Sequence, residues 1–268
     1  MSHAAYLSAD LTGQLVFLGT GTSVGVPCIG CGCPVCASAH PRNQRLRSSI
    51  ALGLPGGTLL VDTTPDLRQQ LLRERIGVAH AILYTHDHAD HVMGLDDVRV
   101  FSFYLGGAIP VYCEEQVEAR LRKSFDYAFA PESKNYAGGV PTLDFRRVEL
   151  APFDVLGTRV VPLRLRHGRF EVLGFRFGNV AYCTDTNGIP AESQELLADL
   201  DVLILDALRP RPHVSHFSLQ EAIDMAQRLG ARRTIFTHMG HEIDHEHVSA
   251  ELPDGMELAF DGLRVALS

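Results

Sequence analysis

Thr85-His86-Asp87-His88-Ala89-Asp90-His91 is the stretch of this sequence that most restricts the fold and the chemistry. Three histidines and two aspartates occur here within six residues. Imidazole and carboxylate groups together suit divalent cations such as zinc, manganese or iron. His86 and His88 can point to one metal from an extended turn, whereas Asp90 and His91 open a helix and can point to a second. The stretch therefore predicts two metal sites.

The sequence on either side alternates between predicted strands and predicted helices. Short apolar runs between turn residues predict strands, and apolar periodicity with capping residues predicts helices. The predicted strands cover residues 15–18, 49–54, 58–61, 81–84, 147–150, 159–165, 171–177, 179–183, 202–205 and 234–236. The predicted helices cover residues 64–75, 90–98, 114–125, 190–198 and 219–229, and a loop is predicted over 126–145. This alternation favours an α/β layered fold, and the lack of an internal repeat or linker predicts one domain over residues 1–268.

Composition restricts the partners and the location. The 268 residues carry a formal net charge of −8, which disfavours binding of long nucleic acid because that requires a basic surface. No apolar run approaches the roughly 20 residues needed to span a bilayer, and the N-terminus lacks the pattern of a secretory signal. We therefore expect a cytoplasmic protein with a small-molecule partner and no membrane partner, and we leave open whether it is a homodimer.

Four of the six cysteines lie within nine residues, as Cys28, Cys31, Cys33 and Cys36. Disulfides are rare in a reducing compartment, where such a cluster is better explained as a metal site. We therefore expect a metal-binding cysteine loop over residues 28–36.

The pattern His-x-His-x-Asp-His in residues 86–91 resembles the signature of the metallo-β-lactamase superfamily, and the resemblance extends along most of the chain. It implies a four-layer αββα sandwich with mixed sheets. It also implies that Asp62, at the end of a predicted strand, orients the metal-binding loop, and that Asp185 bridges the two metals. The implied ligands of the two active-site metals are His86, His88, Asp90, His91, His167, Asp185 and His238.

The implied chemistry is hydrolysis assisted by two divalent cations, Mn²⁺ or Zn²⁺. Such cations would lower the pKa of a shared water toward neutrality, which provides a hydroxide nucleophile. They would also bind phosphate oxygens and neutralise the charge that grows in the transition state.

Residues 19–27, Gly-Thr-Gly-Thr-Ser-Val-Gly-Val-Pro, and the cysteines after them narrow the resemblance. They resemble the branch that contains phosphoribosyl cyclic phosphate phosphodiesterase, a hydrolase of phosphonate degradation. This resemblance implies that Cys31, Cys33, Cys36 and His241 hold a structural zinc ion. Cys28 departs from the family pattern, so a site of four cysteines is the alternative.

The same resemblance implies that His216 reaches the active site as a phosphate ligand or as the acid for the leaving oxygen, with His213 as its rival. Asp90 and His216 are therefore the expected catalytic residues. Residues that could contact the substrate are Arg209, Arg211, Tyr127 and Phe129, although such residues also serve as solvated charges or loop packing.

The predicted function is cleavage of a small phosphodiester, for which a cyclic phosphate of a phosphoribosyl group or nucleoside is the expected substrate. A thioesterase or lactonase on the same metal scaffold is the alternative. A transfer-RNA nuclease would need a basic face and a substrate-gripping arm. A flavo-di-iron oxidoreductase would have glutamate in place of His88, and a decayed binding protein would lack ligands.

Overall fold

Two seven-stranded sheets form the framework of the computed structural model, which describes residues 7–130 and 139–267. The strands of the first sheet are β1 (Gln14–Gly19), β2 (Ser49–Leu54), β3 (Gly57–Val61), β4 (Ala81–Leu83), β5 (Ile109–Cys113), β6 (Leu143–Arg147) and β14 (Arg264–Ala266). The strands of the second sheet are β7 (Phe153–Val155), β8 (Thr158–His167), β9 (Phe170–Phe177), β10 (Val180–Cys183), β11 (Val202–Asp206), β12 (Arg233–Thr237) and β13 (Met256–Leu258).

Both sheets are mixed. The first has the order β14-β1-β2-β3-β4-β5-β6, antiparallel from β14 to β3 and parallel from β3 to β6. The second has the order β13-β12-β11-β10-β9-β8-β7, parallel from β13 to β10 and antiparallel from β10 to β7. This architecture confirms the fold class predicted from the sequence.

The helices complete the layers. They are α1 (Leu67–Glu74), α2 (Ala89–Val92), α3 (Arg99–Leu105), α4 (Glu115–Ser124), α5 (Asp126–Phe129), α6 (Ala191–Glu195), α7 (Leu219–Leu229) and α8 (His245–Ser249), with 3-10 helices at Pro41–Asn43 and Leu95–Val98. None of the helices in the described residues is long and apolar enough to cross a membrane.

Strand β1 shows how one sheet contributes to two apolar cores. Successive side chains of a strand point to opposite faces, and in β1 both faces are buried. Leu15 and Phe17 join the core that includes residues of the second sheet. Val16 and Leu18 join a second core that includes residues of α1 and α4. The first sheet is therefore covered on both faces, as a layered fold requires.

Several predicted elements need correction, and three of them lie between residues 90 and 150. The helix predicted over 90–98 is interrupted at Gly94, where a Cβ atom would lie 2.0 Å from the Thr64 carbonyl oxygen, so only glycine permits this approach. The loop predicted over 126–145 contains α5 and the start of β6, and its residues 131–138 lie outside the described residues. The strand predicted over 147–150 is wrong because β6 ends at Arg147. As an edge strand with half-buried and exposed side chains, β6 has only a weak apolar pattern.

The helix predicted from residue 64 begins three residues later, at Leu67. Thr64 accepts a hydrogen bond from the Asp66 amide and donates one to Gln70. The threonine therefore forms a turn ahead of the helix rather than its cap.

Polar residues follow the carboxyl ends of parallel strands at one edge of the sandwich. Ligand sites of α/β sheets occur at this end of the strands. Asp62 follows β3, Asp185 follows β10 and His238 follows β12. All three residues have positive φ, at 65°, 55° and 59°. Such backbone conformations are costly for residues other than glycine and concentrate at functional sites.

Candidate active site

The structure brings the predicted ligands into two adjacent groups. His86, His88 and His167 form the first group, and their ligand atoms all lie within 4.8 Å of one another. His86 comes from the loop after β4, whereas His167 is the last residue of β8, so the two sheets meet at this group. Nδ1 of His167 donates to the carbonyl oxygen of Ser215 at 2.8 Å, which leaves its Nε2 free to bind a ligand.

Asp90, His91, Asp185 and His238 form the second group, again within 4.8 Å. Nε2 of His91 lies 3.3 Å from the Asp185 carboxylate, and Nε2 of His238 lies 3.2 Å from it. Asp90 is close to the same two imidazoles, at 3.4 and 3.9 Å. Asp185 therefore lies between the two histidines at the centre of this group.

Asp62 positions the second group through hydrogen bonds to Thr85 and His91. Its buried carboxylate accepts from the backbone amide and hydroxyl of Thr85, at 2.9 and 2.8 Å. It also accepts from Nδ1 of His91 at 2.8 Å. A carboxylate that binds one ring nitrogen fixes the tautomer and directs the other nitrogen to a metal. This is the orienting role implied for Asp62 by the sequence.

Burial and charge act together on the titration of these residues. Burial lowers the pKa of His86 well below its ordinary value, and the neighbouring His91 lowers it further. Burial also disfavours charge on His91, but Asp185 and Asp90 outweigh it and raise that pKa well above its ordinary value. Burial raises the pKa of Asp185, yet His238 and His91 hold it well below its ordinary value. The second group thus contains carboxylates paired with protonated imidazoles, and a bound cation would take the place of the imidazole protons.

The donor atoms fit a pair of divalent metal ions. Among the described residues, Nε2 of His86, His91 and His238 is buried without a hydrogen-bond partner. Leaving such atoms unpaired is costly, and one metal ion in each group would satisfy all three. Imidazole and carboxylate donors suit zinc, manganese and iron.

His216 lies beside both groups and is held by a residue that the sequence analysis missed. Its Nδ1 donates to the fully buried carboxylate of Asp206 at 2.6 Å. Its ring centroid lies 4.7 Å from those of His167 and His238. A nitrogen of His216 also lies within 4.8 Å of the ligand atoms of His167 and Asp185. The bond to Asp206 leaves Nε2 as the nitrogen available to a substrate.

Asp206 also lies near the second group, with its Oδ1 atom 3.8 Å from Nδ1 of His238. The sequence contains a signal for it, because Asp206 ends the apolar run 202–205 just as Asp62 ends the run 58–61.

The cysteine loop meets His241 in a third group. Sγ atoms of Cys31, Cys33 and Cys36 lie 3.1, 3.5 and 3.5 Å from Nδ1 of His241. Sγ of Cys28 lies outside this group and is 3.9 Å from the Ile29 carbonyl oxygen. A hydrogen bond from the Cys36 amide lowers the pKa of Cys33 to about 6, which favours the thiolate form that binds zinc. Three thiolates and one imidazole make a tetrahedral donor set typical of structural zinc.

The remaining predicted contacts are occupied elsewhere. Arg209 donates to the carbonyl oxygens of Arg211 and Pro212, and Arg211 pairs with Glu242 at 2.9 Å. Arg209 also lies 3.9 Å from Glu242, so both guanidinium groups already have a carboxylate partner. His213 is half-buried, and its Nδ1 accepts from the backbone amide of Ser215 rather than joining either histidine group.

Tyr127 and Phe129 both lie on α5 and contact neighbouring elements. Tyr127 hydrogen-bonds to Asp96, and Phe129 packs against Phe145 and Arg122. These contacts correspond to the loop-packing alternative.

The comparisons with known proteins agree on one family for this chain. The family described as Beta-lactamase superfamily domain matches residues 58–239. A crystal structure of a diphosphatase from the PhnP family has a TM-score of 0.89 and 43% identity, covering 95% of this chain and 98% of that one. Zinc-bound PqqB from Methylobacterium extorquens has a TM-score of 0.77 at 20% identity, covering 95% of this chain and 100% of that one, and shares the fold.

A curated relative is longer than this chain. An octanoyltransferase of Porphyromonas gingivalis is 37% identical over 259 residues, which cover 95% of this chain and 51% of that protein. The chain spans about half, or a smaller share, of the length of the first curated relatives that it matches. The family match over residues 58–239 and the PhnP-family structure at 43% identity confirm the resemblance in the sequence. The chain therefore belongs to the β-lactamase superfamily and, within it, to the PhnP family.

Proposed function

We propose that the protein hydrolyses a small phosphodiester, with a cyclic phosphodiester as its substrate. The observation that carries this proposal is His216, which Asp206 holds beside both histidine groups. A histidine placed there can donate a proton to the oxygen that leaves phosphorus, and general acids of this kind contribute about 10²–10⁴-fold.

Two divalent ions, Mn²⁺ or Zn²⁺, would occupy the two groups and would supply an activated water and charge neutralisation for the phosphate. His86, His88 and His167 would hold the first ion. The second group, in which we place Asp90 as a catalytic residue, would hold the other, with Asp185 between them. Asp62 keeps His91 in the tautomer that binds metal, and Asp206 keeps the Nε2 atom of His216 directed to the substrate.

A zinc ion held by Cys31, Cys33, Cys36 and His241 is part of the proposal as a structural ion. Its support is the convergence of the three Sγ atoms on one imidazole nitrogen. The single domain, the cytoplasmic location and the small phosphorylated partner remain predictions from the sequence.

Diphosphate hydrolysis is the second candidate, since the 43% identical PhnP-family relative is described as a diphosphatase. Both reactions break a phosphorus–oxygen bond, and the same two proposed metal ions would serve either of them. Acyl substrates are less well supported. The octanoyltransferase name belongs to a protein of which this chain matches 51%, so the named activity need not lie in the matched half.

The proposal is tested with metal-loaded protein on a panel of substrates: a ribose cyclic phosphate, a diphosphate, a thioester and a lactone. We expect cleavage of the cyclic phosphate and a loss of 10²-fold or more in His216→Ala. The matched control is His247→Ala, an exposed histidine on α8, which should retain the wild-type rate. Cleavage of only the thioester or lactone would refute the phosphodiesterase proposal, and cleavage of only the diphosphate would favour the second candidate.

A further inference from the structure

Cys28 is the member of the cysteine loop that the proposed zinc site does not use. Its Sγ atom lies outside the group formed by the other three thiols and His241. The Cys28 side chain nevertheless packs against the same small apolar cluster as two of the proposed ligands, Cys31 and Cys33. It is half-buried and free of a disulfide, so small solutes can reach it. A reachable thiol beside a second thiol is the arrangement of redox-sensing cysteines.

The turn from Cys28 to Cys31 brings these two cysteines together. The Cys31 amide donates to the Cys28 carbonyl oxygen at 3.0 Å, which closes the four-residue turn Cys28-Ile29-Gly30-Cys31. The Cα atoms at the ends of a β-turn lie less than about 7 Å apart, and disulfides join Cα atoms separated by about 4.4–6.8 Å. The backbone therefore already holds the two residues close to the separation that a disulfide requires.

The middle of this turn is exposed. Gly30, its third residue, has a φ of +75°, which is the conformation that a type II turn requires at this position. A Cβ atom on Gly30 would meet nothing within 4 Å, so backbone conformation rather than close packing favours glycine here. Ile29 is 95% exposed. The side chains of the turn can therefore rearrange without disturbing the packed core.

We propose that Cys28 and Cys31 are an oxidant-sensitive thiol pair, whose disulfide removes Cys31 from the zinc ion. The inference goes beyond phosphodiester hydrolysis and rests on the zinc site proposed above. The Cys-x-x-Cys spacing is that of disulfide oxidoreductases. The Cys28 amide also donates to Sγ of Cys36 at 3.3 Å, but Cys36 is buried and is less accessible than Cys31.

A peroxide is the oxidant of this step. The Cys28 sulfur attacks the O–O bond, which gives a sulfenic acid and releases water. The Cys31 thiolate then attacks the sulfenic sulfur, so that its bond to zinc and the S–O bond break, the S–S bond forms and hydroxide leaves. Two electrons pass from the two sulfur atoms to the peroxide. Cys33, Cys36 and His241 remain as three donors, whereas structural zinc sites have four, and we therefore expect the zinc ion to be released.

The test treats the full chain with hydrogen peroxide, with manganese in the two histidine groups so that zinc reports on the cysteine group alone. Zinc per chain is measured by elemental analysis after desalting. All four loop cysteines fall in one tryptic peptide, since Arg42 is the first lysine or arginine of the chain. Free thiols are therefore alkylated first, and the disulfide is then reduced, labelled with a second reagent and located by tandem mass spectrometry. We expect the second label on Cys28 and Cys31, the loss of one zinc ion per chain, and recovery of both with dithiothreitol and zinc.

Two variants separate the thiol pair from general oxidation of the loop. Cys28→Ala keeps all four proposed zinc donors, so it should bind zinc as the wild type does and form no disulfide. Its zinc should be lost far more slowly at the same peroxide concentration, because its remaining loop thiolates are bound to zinc. Cys113→Ala, which removes a buried thiol of β5 outside the loop, is the matched control and should respond as the wild type does.

The two readouts distinguish failure of the thiol pair from failure of the zinc site. A disulfide confined to Cys31, Cys33 and Cys36, or zinc loss at the wild-type rate in Cys28→Ala, would refute the thiol pair and leave the zinc site intact. Zinc that stays bound under peroxide, with all four thiols unmodified, would do the same. A Cys28–Cys31 disulfide in a chain that binds no zinc would support the thiol pair and refute the zinc site.

Discussion

Substitution of Asp206 by asparagine tests the role of His216 without altering the imidazole itself. The bond between Nδ1 of His216 and Asp206 is 2.6 Å long and ends on a fully buried carboxylate. Hydrogen bonds to charged groups contribute about 1.5–3 kcal/mol, and 1.36 kcal/mol corresponds to a factor of ten in rate. We therefore expect Asp206→Asn to lower kcat roughly 10- to 150-fold.

The choice of leaving group isolates the proton transfer. A ribose alkoxide needs a proton as it leaves phosphorus, whereas 4-nitrophenolate leaves without one. Asp206→Asn and His216→Ala should therefore both slow a ribose cyclic phosphate and should have far less effect on bis(4-nitrophenyl) phosphate. The double variant should be scarcely slower than His216→Ala, because the two residues act as one unit.

Asp206 also lies 3.8 Å from His238, so the metal content of each variant must be measured by elemental analysis. Equal losses on both substrates with normal metal content would refute the assignment of His216 and Asp206 as an acid and its positioning residue. So would a wild-type rate for Asp206→Asn on the ribose substrate.

Three further perturbations follow from the structure. Asp185→Ala removes the carboxylate between the second-group histidines and should lower turnover on the order of 10³-fold or more. The circular dichroism spectrum should be unchanged. A near-wild-type rate would contradict the central position of Asp185 in this group. Burial, with help from Arg45, lowers the pKa of His245 from 6.5 to about 4, so the unfolded chain takes up the proton first as the pH falls. The contribution of neutral His245 to the free energy of unfolding is therefore complete above pH 6.5 and is lost toward pH 4, by about 2 kcal/mol at pH 5. In urea unfolding, the free energy of unfolding should fall less on acidification for His245→Gln than for the wild type. The exposed His247→Gln should behave like the wild type. Arg45→Met should lower the free energy of unfolding by roughly 2–4 kcal/mol, because buried carbonyl oxygens lose their donor, whereas an unchanged urea midpoint would show that the buried arginine is dispensable.

Local patterns in the sequence were sufficient for most of the fold. The apolar runs of β2, β3 and β11 and the capping box of α7, in which Ser218 and Glu221 bond reciprocally, all rest on near neighbours in the chain. Elements that depend on distant partners were missed. Strands β13 and β14 are only three residues long and exist because they extend sheet edges at β12 and β1.

The same distinction applies to the site. The cluster of residues 86–91 is visible in the sequence because its donors are adjacent. Asp206 is marked in the sequence only by its place after an apolar run, and its contact with His216 depends on the loop that returns His216 over the end of β11.

The segment from His238 to His241 connects the second group with the cysteine group. His238 belongs to the second histidine group, and His241 belongs to the cysteine group three residues later. Arg45 donates to the carbonyl oxygen of Gly240 between them at 3.1 Å and to that of Ile243 at 2.8 Å. Its backbone pairs in both directions with Val26, at the start of the cysteine loop. Because His241 lies three residues after His238, we expect the two imidazoles to move together. Removal of the proposed zinc ion by a chelator should therefore weaken metal binding at His238, measured by metal titration, before the sandwich itself unfolds.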